Sequence, residues 1–190
     1  MKLIEIPFLE QRDYIQGASL FEALQSNVIG QREISFRIRE ELQTNLVLSA
    51  DPSDFDTLPA ATLSWRGPTS GEIGVWPLPN YKIPQREPFD EAALLDTAIF
   101  DEDDAVTVEV SIEDFVRTIV AANKTLLERS DHEKGRWIFA ALRLDTFPEF
   151  AGPVTVRTLQ SAGDNMIWSG IETNAKPLGR ILFAWQKKLP

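Results

Sequence analysis

VTVEVSIEDFVRTIVAANKTLL, residues 106–127, changes hydrophobic period once, and that change decides the fold class. Val106, Val108 and Val110 alternate with Thr107, Glu109 and Ser111, the period of two expected of a half-buried strand. From Phe115 the apolar residues step at helical spacing instead: Phe115/Val116, Ile119/Val120, Asn123 and Leu126/Leu127 share one face. A strand thus leads directly into the strongest helix of the chain.

Beyond Gly135, alternating segments predict four strands at 137–144, 154–159, 166–171 and 178–185, with Pro148, Gly152-Pro153, Gly163 and Asn174 at the breaks. Working back toward the amino terminus, the same order occurs once before. Ile4, Ile6 and Phe8 read as a short strand, and Tyr14, Ala18, Phe21 and Leu24/Gln25 as an amphipathic helix over about 13–25. Ile34, Phe36 and Ile38 against Ser35, Arg37 and Arg39 give a clean strand whose wet face carries Arg32, Arg37 and Arg39. Further strands are predicted at 46–48, 63–65 and 73–76. Pro77, Pro79, Pro84 and Pro88 then crowd twelve residues, too dense for a helix or a central strand. A short helix with Asp90 as its N-cap is expected through Leu94, Leu95 and Ala98.

The expectation is an α+β chain with an internal duplication: unit 1–80, a proline-rich linker and short helix over 81–100, and unit 101–190. Letters support it in places. Asp13-Tyr14-Ile15 matches Asp114-Phe115-Val116, residues 32–36 match 136–140, and residues 71–76 match 179–184.

Composition narrows the function classes. The chain has 190 residues, no Cys and a net charge of -10, so disulfides, thiolate metal sites and a Cys nucleophile are excluded. Residues 1–88 sum to -4 and 89–190 to -6, and neither half is a basic module of the kind that grips a phosphate backbone. No apolar run reaches the roughly 18–20 residues of a membrane span, and Glu5 and Glu10 interrupt any secretory signal. The expected setting is cytoplasmic, with no nucleic-acid or membrane partner.

One strand, one helix and four antiparallel strands, taken twice, resemble a tandem (double) hotdog, the arrangement of acyl-thioesterases and acyl-thioester dehydratases in which a curved sheet wraps a central helix. The resemblance implies an acyl-thioester such as an acyl-CoA, or another apolar small ligand, bound between the halves, with a helix amino terminus polarising the carbonyl and a carboxylate as base or nucleophile. It implies no cofactor, and a monomer or homodimer. The matching positions are Asp13, Gln16 and Gly17 in the first half, with Tyr14 beside them, and Glu113 and Asp114 in the second. Asp13 is the first choice for the catalytic carboxylate and Asp114 the second, with Tyr14, Gln16 and Gly17 as ligand-binding residues.

A plainer reading exists for each. Asp13 with Gln16, and Ser111 with Asp114, have capping-box spacing. Gly17 inside a helix costs up to about 1 kcal/mol relative to Ala and points to close approach, by a neighbouring helix or by a ligand. His132, the one histidine, falls in a polar turn and does not fit a His-dependent dehydratase. The run 101–104 lacks the alternation and glycine of a calcium loop. Trp65, Trp76, Trp137, Trp168 and Trp185 fall on predicted strands and read as packing residues. The competing function is a catalytically silent interaction or structural module.

Overall fold

The computed structural model describes residues 1–83, 85–101, 104–130, 135–161, 163, 165–174 and 176–187, with backbone alone at 81, 82 and 130. His132 and the middle of the acidic run, Glu102 and Asp103, lie outside the described residues. The chain divides into two units, Met1–Phe89 and Asp90–Pro190. Both are α+β, each with an antiparallel sheet, a hotdog-like build.

In the first unit β1 (Lys2–Ile4) and β2 (Phe8–Leu9) precede α1 (Gly17–Leu24), and β3 (Arg32–Ile38), β4 (Thr44–Ser49), β5 (Ala61–Arg66), β6 (Gly71–Lys82) and β7 (Arg86–Glu87) follow it. The sheet order is β1-β4-β6-β5-β3, and β2 pairs with β7 in parallel. Ile34, Phe36, Leu46, Leu63 and Val75 line its buried face, and Phe21 of α1 meets Phe36 edge-to-face at 5.4 Å. The opposite face of β4 and β6 is clad by the 50–60 connection. There Phe55 stacks on Trp76 at 4.1 Å, Trp76 Nε1 donates to Thr57 O, and Ser49 Oγ donates to Asp54. Gly74 leaves the room that the Trp76 ring takes, because a Cβ there would collide with it.

The second unit contains β8 (Ile99–Asp101), β9 (Ala105–Val110), α2 (Phe115–Ser130), β10 (Gly135–Thr146), β11 (Gly152–Ser161), β12 (Met166–Thr173) and β13 (Lys176–Lys187). Its sheet order is β10-β13-β12-β11-β9-β8. Val106, Val108, Leu142, Val154, Val156, Ile171 and Ile181 are buried in this sheet, and Phe115, Ile119, Ala122 and Leu126 are buried on α2, which packs on β9, β10 and β11. Every strand predicted from residue 106 onward is present.

Several expectations need correction. Ile4, Ile6 and Phe8 do not form one strand; the chain breaks at Pro7 and the two pieces take different partners. The first helix begins at Gly17, not near Asp13, because the Ile15 N–H is held by Leu42 O at 2.7 Å and Gln16 is extended. Tyr14, expected on the helix and buried, is half-exposed and lies ahead of it. Pro77 and Pro79 lie within β6 rather than outside regular structure. Beyond Val75 that strand pairs only with β4, so a missing N–H can fall on an unpaired side. Residues 81–89 belong to the first unit, and residues 90–100 to the second. Asp90 Oδ1 does accept from the N–H groups of Ala92 and Ala93, but it starts only a 3-10 turn at Ala93–Leu95. Residues 71–76 and 179–184 match in letters yet differ in neighbours: β6 lies between β4 and β5, β13 between β12 and β10.

Candidate functional site

The two helix amino termini carry the predicted site residues, and they are finished in different ways. At α1 the N-cap is Gln16, with φ -66° and ψ 137°, and no side chain caps the helix. Its carbonyl already accepts from Leu20 N–H at 3.0 Å, so the helix is properly started. No acidic side chain occupies the first turn. The amides of Gly17, Ala18 and Ser19 are the ones an α-helix leaves without intrahelical partners, and they carry the positive end of the helix dipole. Gly17 is the first helical residue, so the interior-glycine penalty expected above does not apply to it. Ser19, two residues on, is 6% exposed, and its hydroxyl has no hydrogen-bond partner.

Asp13 lies four residues ahead of Gly17, exposed, in a bend that follows the Leu9–Arg12 turn. It does not form the capping box with Gln16, because neither residue occupies the position that the box requires. Tyr14 and Gln16 are half-exposed on either side of the buried Ile15. Sequence spacing therefore found the right segment and misplaced the helix start within it.

At α2 a side-chain pair precedes the helix. The Ser111 hydroxyl accepts from the Asp114 N–H at 3.0 Å and donates to the Asp114 carboxylate at 3.1 Å. Thr118 N–H bonds to Asp114 O at 2.8 Å, which makes Asp114 the residue from which the helix starts. Ser111 and Asp114 are therefore bonded to each other, but not as the capping box their spacing suggested, because Asp114 and not Ser111 is the residue before the first turn. Glu113 is exposed beside it.

Two buried polar side chains that the sequence reading did not single out for chemistry lie in the second unit. Asn123, fully buried on α2, has neither amide atom hydrogen-bonded, and Ser169, fully buried on β12, has an unpartnered hydroxyl. In the first unit Asn45 of β4 is 4% exposed and its Oδ1 is unpartnered. An alternating or helical apolar pattern that admits one polar residue is the only sequence signal for such positions. Among the described residues no three His, Cys, Asp or Glu side chains gather into a metal site, and no helix is long and apolar enough to cross a membrane.

No protein-family model matches the chain. No curated protein matches it in sequence. Solved structures of similar shape include one assigned as an oleoyl thioesterase from Lactobacillus plantarum, with 10% identity, coverage of 100% of this chain and 96% of that one, and a TM-score of 0.48. Another is assigned as a thioesterase II from Thermobifida fusca, with 11% identity, coverage of 98% and 96%, and a TM-score of 0.47. The dehydratase domain of the polyketide protein PpsC from Mycobacterium tuberculosis has 12% identity, coverage of 98% and 92%, and a TM-score of 0.47.

Proposed function

We propose that this protein binds an acyl-thioester, or another apolar small ligand bearing a carbonyl, with the carbonyl oxygen at the uncapped amino end of α1. The observation that carries this reading is the absence of any side-chain cap on a helix whose first residue is glycine. A carbonyl oxygen gaining negative charge is stabilised there by two or three amides and the helix dipole, the usual logic of an oxyanion site. The unpartnered Ser19 hydroxyl supplies a further polar group in the same turn.

Hydrolysis would use Asp13 as general base. Asp13 takes a proton from water as the water oxygen bonds to the carbonyl carbon. The tetrahedral oxyanion is held by the α1 amides, the C–S bond then breaks, and the leaving thiolate takes up the proton. A second reading, binding without turnover, is favoured by one observation: no hydrogen bond to another residue orients the Asp13 carboxylate among the described residues.

The test is octanoyl-CoA, with binding by calorimetry and thiol release followed in parallel. Gln16→Asp places a carboxylate where the carbonyl would sit and should abolish binding. Unchanged binding in that variant contradicts the site. Asp13→Asn should bind normally; turnover lost with it makes Asp13 the base, and no turnover in the natural chain selects the silent reading.

A further inference from the structure

The turn that leads into Asp13 is held from outside by the last residues of the first unit. β2 and β7 pair in parallel, with Phe8 across from Arg86 and Leu9 across from Glu87. Phe8 N–H donates to Gln85 O at 3.1 Å, and Glu10 N–H donates to Glu87 O at 2.9 Å. From this frame the Arg86 guanidinium lies over the Phe8 ring, 5.5 Å from its centroid. One of its nitrogens, Nη1, donates both to Glu10 O at 2.8 Å and to Arg12 O at 2.7 Å.

The turn benefits from such a clamp. Glu10 stands at φ 52°, in the left-handed region that a residue with a side chain adopts only at a cost. Within the turn itself Arg12 N–H donates to Leu9 O at 3.1 Å. Farther along, Ile15 N–H is fixed by Leu42 O at 2.7 Å. Asp13 is thus suspended between Arg12, held by Arg86, and Ile15, held by Leu42. The Arg12 carbonyl belongs to the planar peptide group that joins Arg12 to Asp13, so fixing its oxygen fixes the plane from which the Asp13 side chain departs. A general base works only within hydrogen-bond reach of its proton, and a misplacement of about 1 Å costs on the order of 100-fold in rate.

We infer that Arg86 is a positioning residue for Asp13, which sets the reach of the carboxylate toward the attacking water by holding the Arg12–Asp13 peptide. This role presupposes Asp13 as the general base proposed above. Arg86 is exposed, and substitutions at exposed positions change stability little. Its loss is therefore read in the rate rather than in the fold.

The test is steady-state thiol release from octanoyl-CoA, with kcat and KM separated, beside calorimetric binding and a melting curve. Arg86→Ala should lower kcat about tenfold or more, leave KM and affinity within about twofold, and move Tm by less than about 3 °C. Arg86→Gln, whose amide is too short to span both carbonyls, should do the same and keeps the test open if Arg86→Ala does not fold. Added guanidinium ion, at concentrations far below denaturing, should raise kcat of Arg86→Ala severalfold while leaving the natural chain and Asp13→Asn unchanged. Because Arg86 acts through Asp13, the double variant Asp13→Asn/Arg86→Ala should be no slower than Asp13→Asn alone. Unchanged kcat in Arg86→Ala or Arg86→Gln, an affinity that falls as far as kcat, or a further loss in the double variant overturns this role and leaves Asp13 as the base. No thiol release by the natural chain overturns the hydrolysis reading itself, and the role of Arg86 with it.

Discussion

In the first unit the last long strand, β6, is inserted between β4 and β5; in the second, β13 closes against β12 and β10. In both, two short strands precede the α-helix and the rest follow it, β3–β7 in the first unit and β10–β13 in the second. The difference teaches where the decision is made. In the second unit β11, β12 and β13 follow one another as neighbours through short connections. In the first, the chain leaves β4, spends residues 50–60 on the outer face of the sheet, and enters β5 on the far side of β6. Phe55 on Trp76 fastens that detour, and the position that matches Trp76 in letters is Ala184. The helices differ too: α1 is eight residues long, starts at Gly17 and has no side-chain cap, whereas α2 is sixteen residues long and is preceded by the bonded pair Ser111 and Asp114.

The largest effect should come from the detour's anchor. Trp76→Ala removes a 2% exposed ring together with its hydrogen bond to Thr57, and should cost about 3–5 kcal/mol in urea unfolding. A loss below about 1 kcal/mol would show that the 50–60 segment is not what holds β6 in its place. Next is Asn123→Leu on α2, where an amide with no partner gives way to an apolar side chain of similar volume. It should stabilise by about 1–3 kcal/mol, and destabilisation would mean that a bound group satisfies the amide.

Ser111→Ala should cost about 0.5–1.5 kcal/mol by removing the hydroxyl that holds Asp114 ahead of α2, whereas Gln16→Ala, which removes no cap, should change stability by less than about 0.5 kcal/mol. Equal losses would erase the distinction between the two helix ends. The smallest effect is in acid. Hydrogen bonds from the Ser53 hydroxyl and N–H hold the Asp51 carboxyl below its ordinary 3.8. A carboxyl lowered in the folded state stabilises above its unfolded pKa, and that contribution is lost as pH falls through the folded value. Asp51→Asn should therefore fall less steeply in stability below about pH 4 than the natural chain. An unchanged pH profile would show that this turn contributes nothing to the detour.

Local pattern made much of this legible. The period of two at 34–38 and the helical spacing at 115–127 correspond to β3 and α2 because burial on one face is what those periods encode. Spacing also found the Ser111–Asp114 pair. It could not set the start of α1, where Asp13 and Gln16 have the same spacing but a bond from Ile15 to Leu42, 27 positions away, straightens the chain. Nor could it order the first sheet, since that depends on a contact between Phe55 and Trp76 across the sheet face. Pro77 and Pro79 read as breakers because their tolerance comes from a neighbour strand that ends at Ala61.

The proposed ligand site at the start of α1 is tested most directly by amide chemical shifts during titration with octanoyl-CoA. Binding at α1 predicts saturable shifts of Gly17, Ala18 and Ser19, with Phe115, Val116 and Arg117 unmoved. Shifts at residues 115–117, or saturation that leaves residues 17–19 untouched, would contradict it.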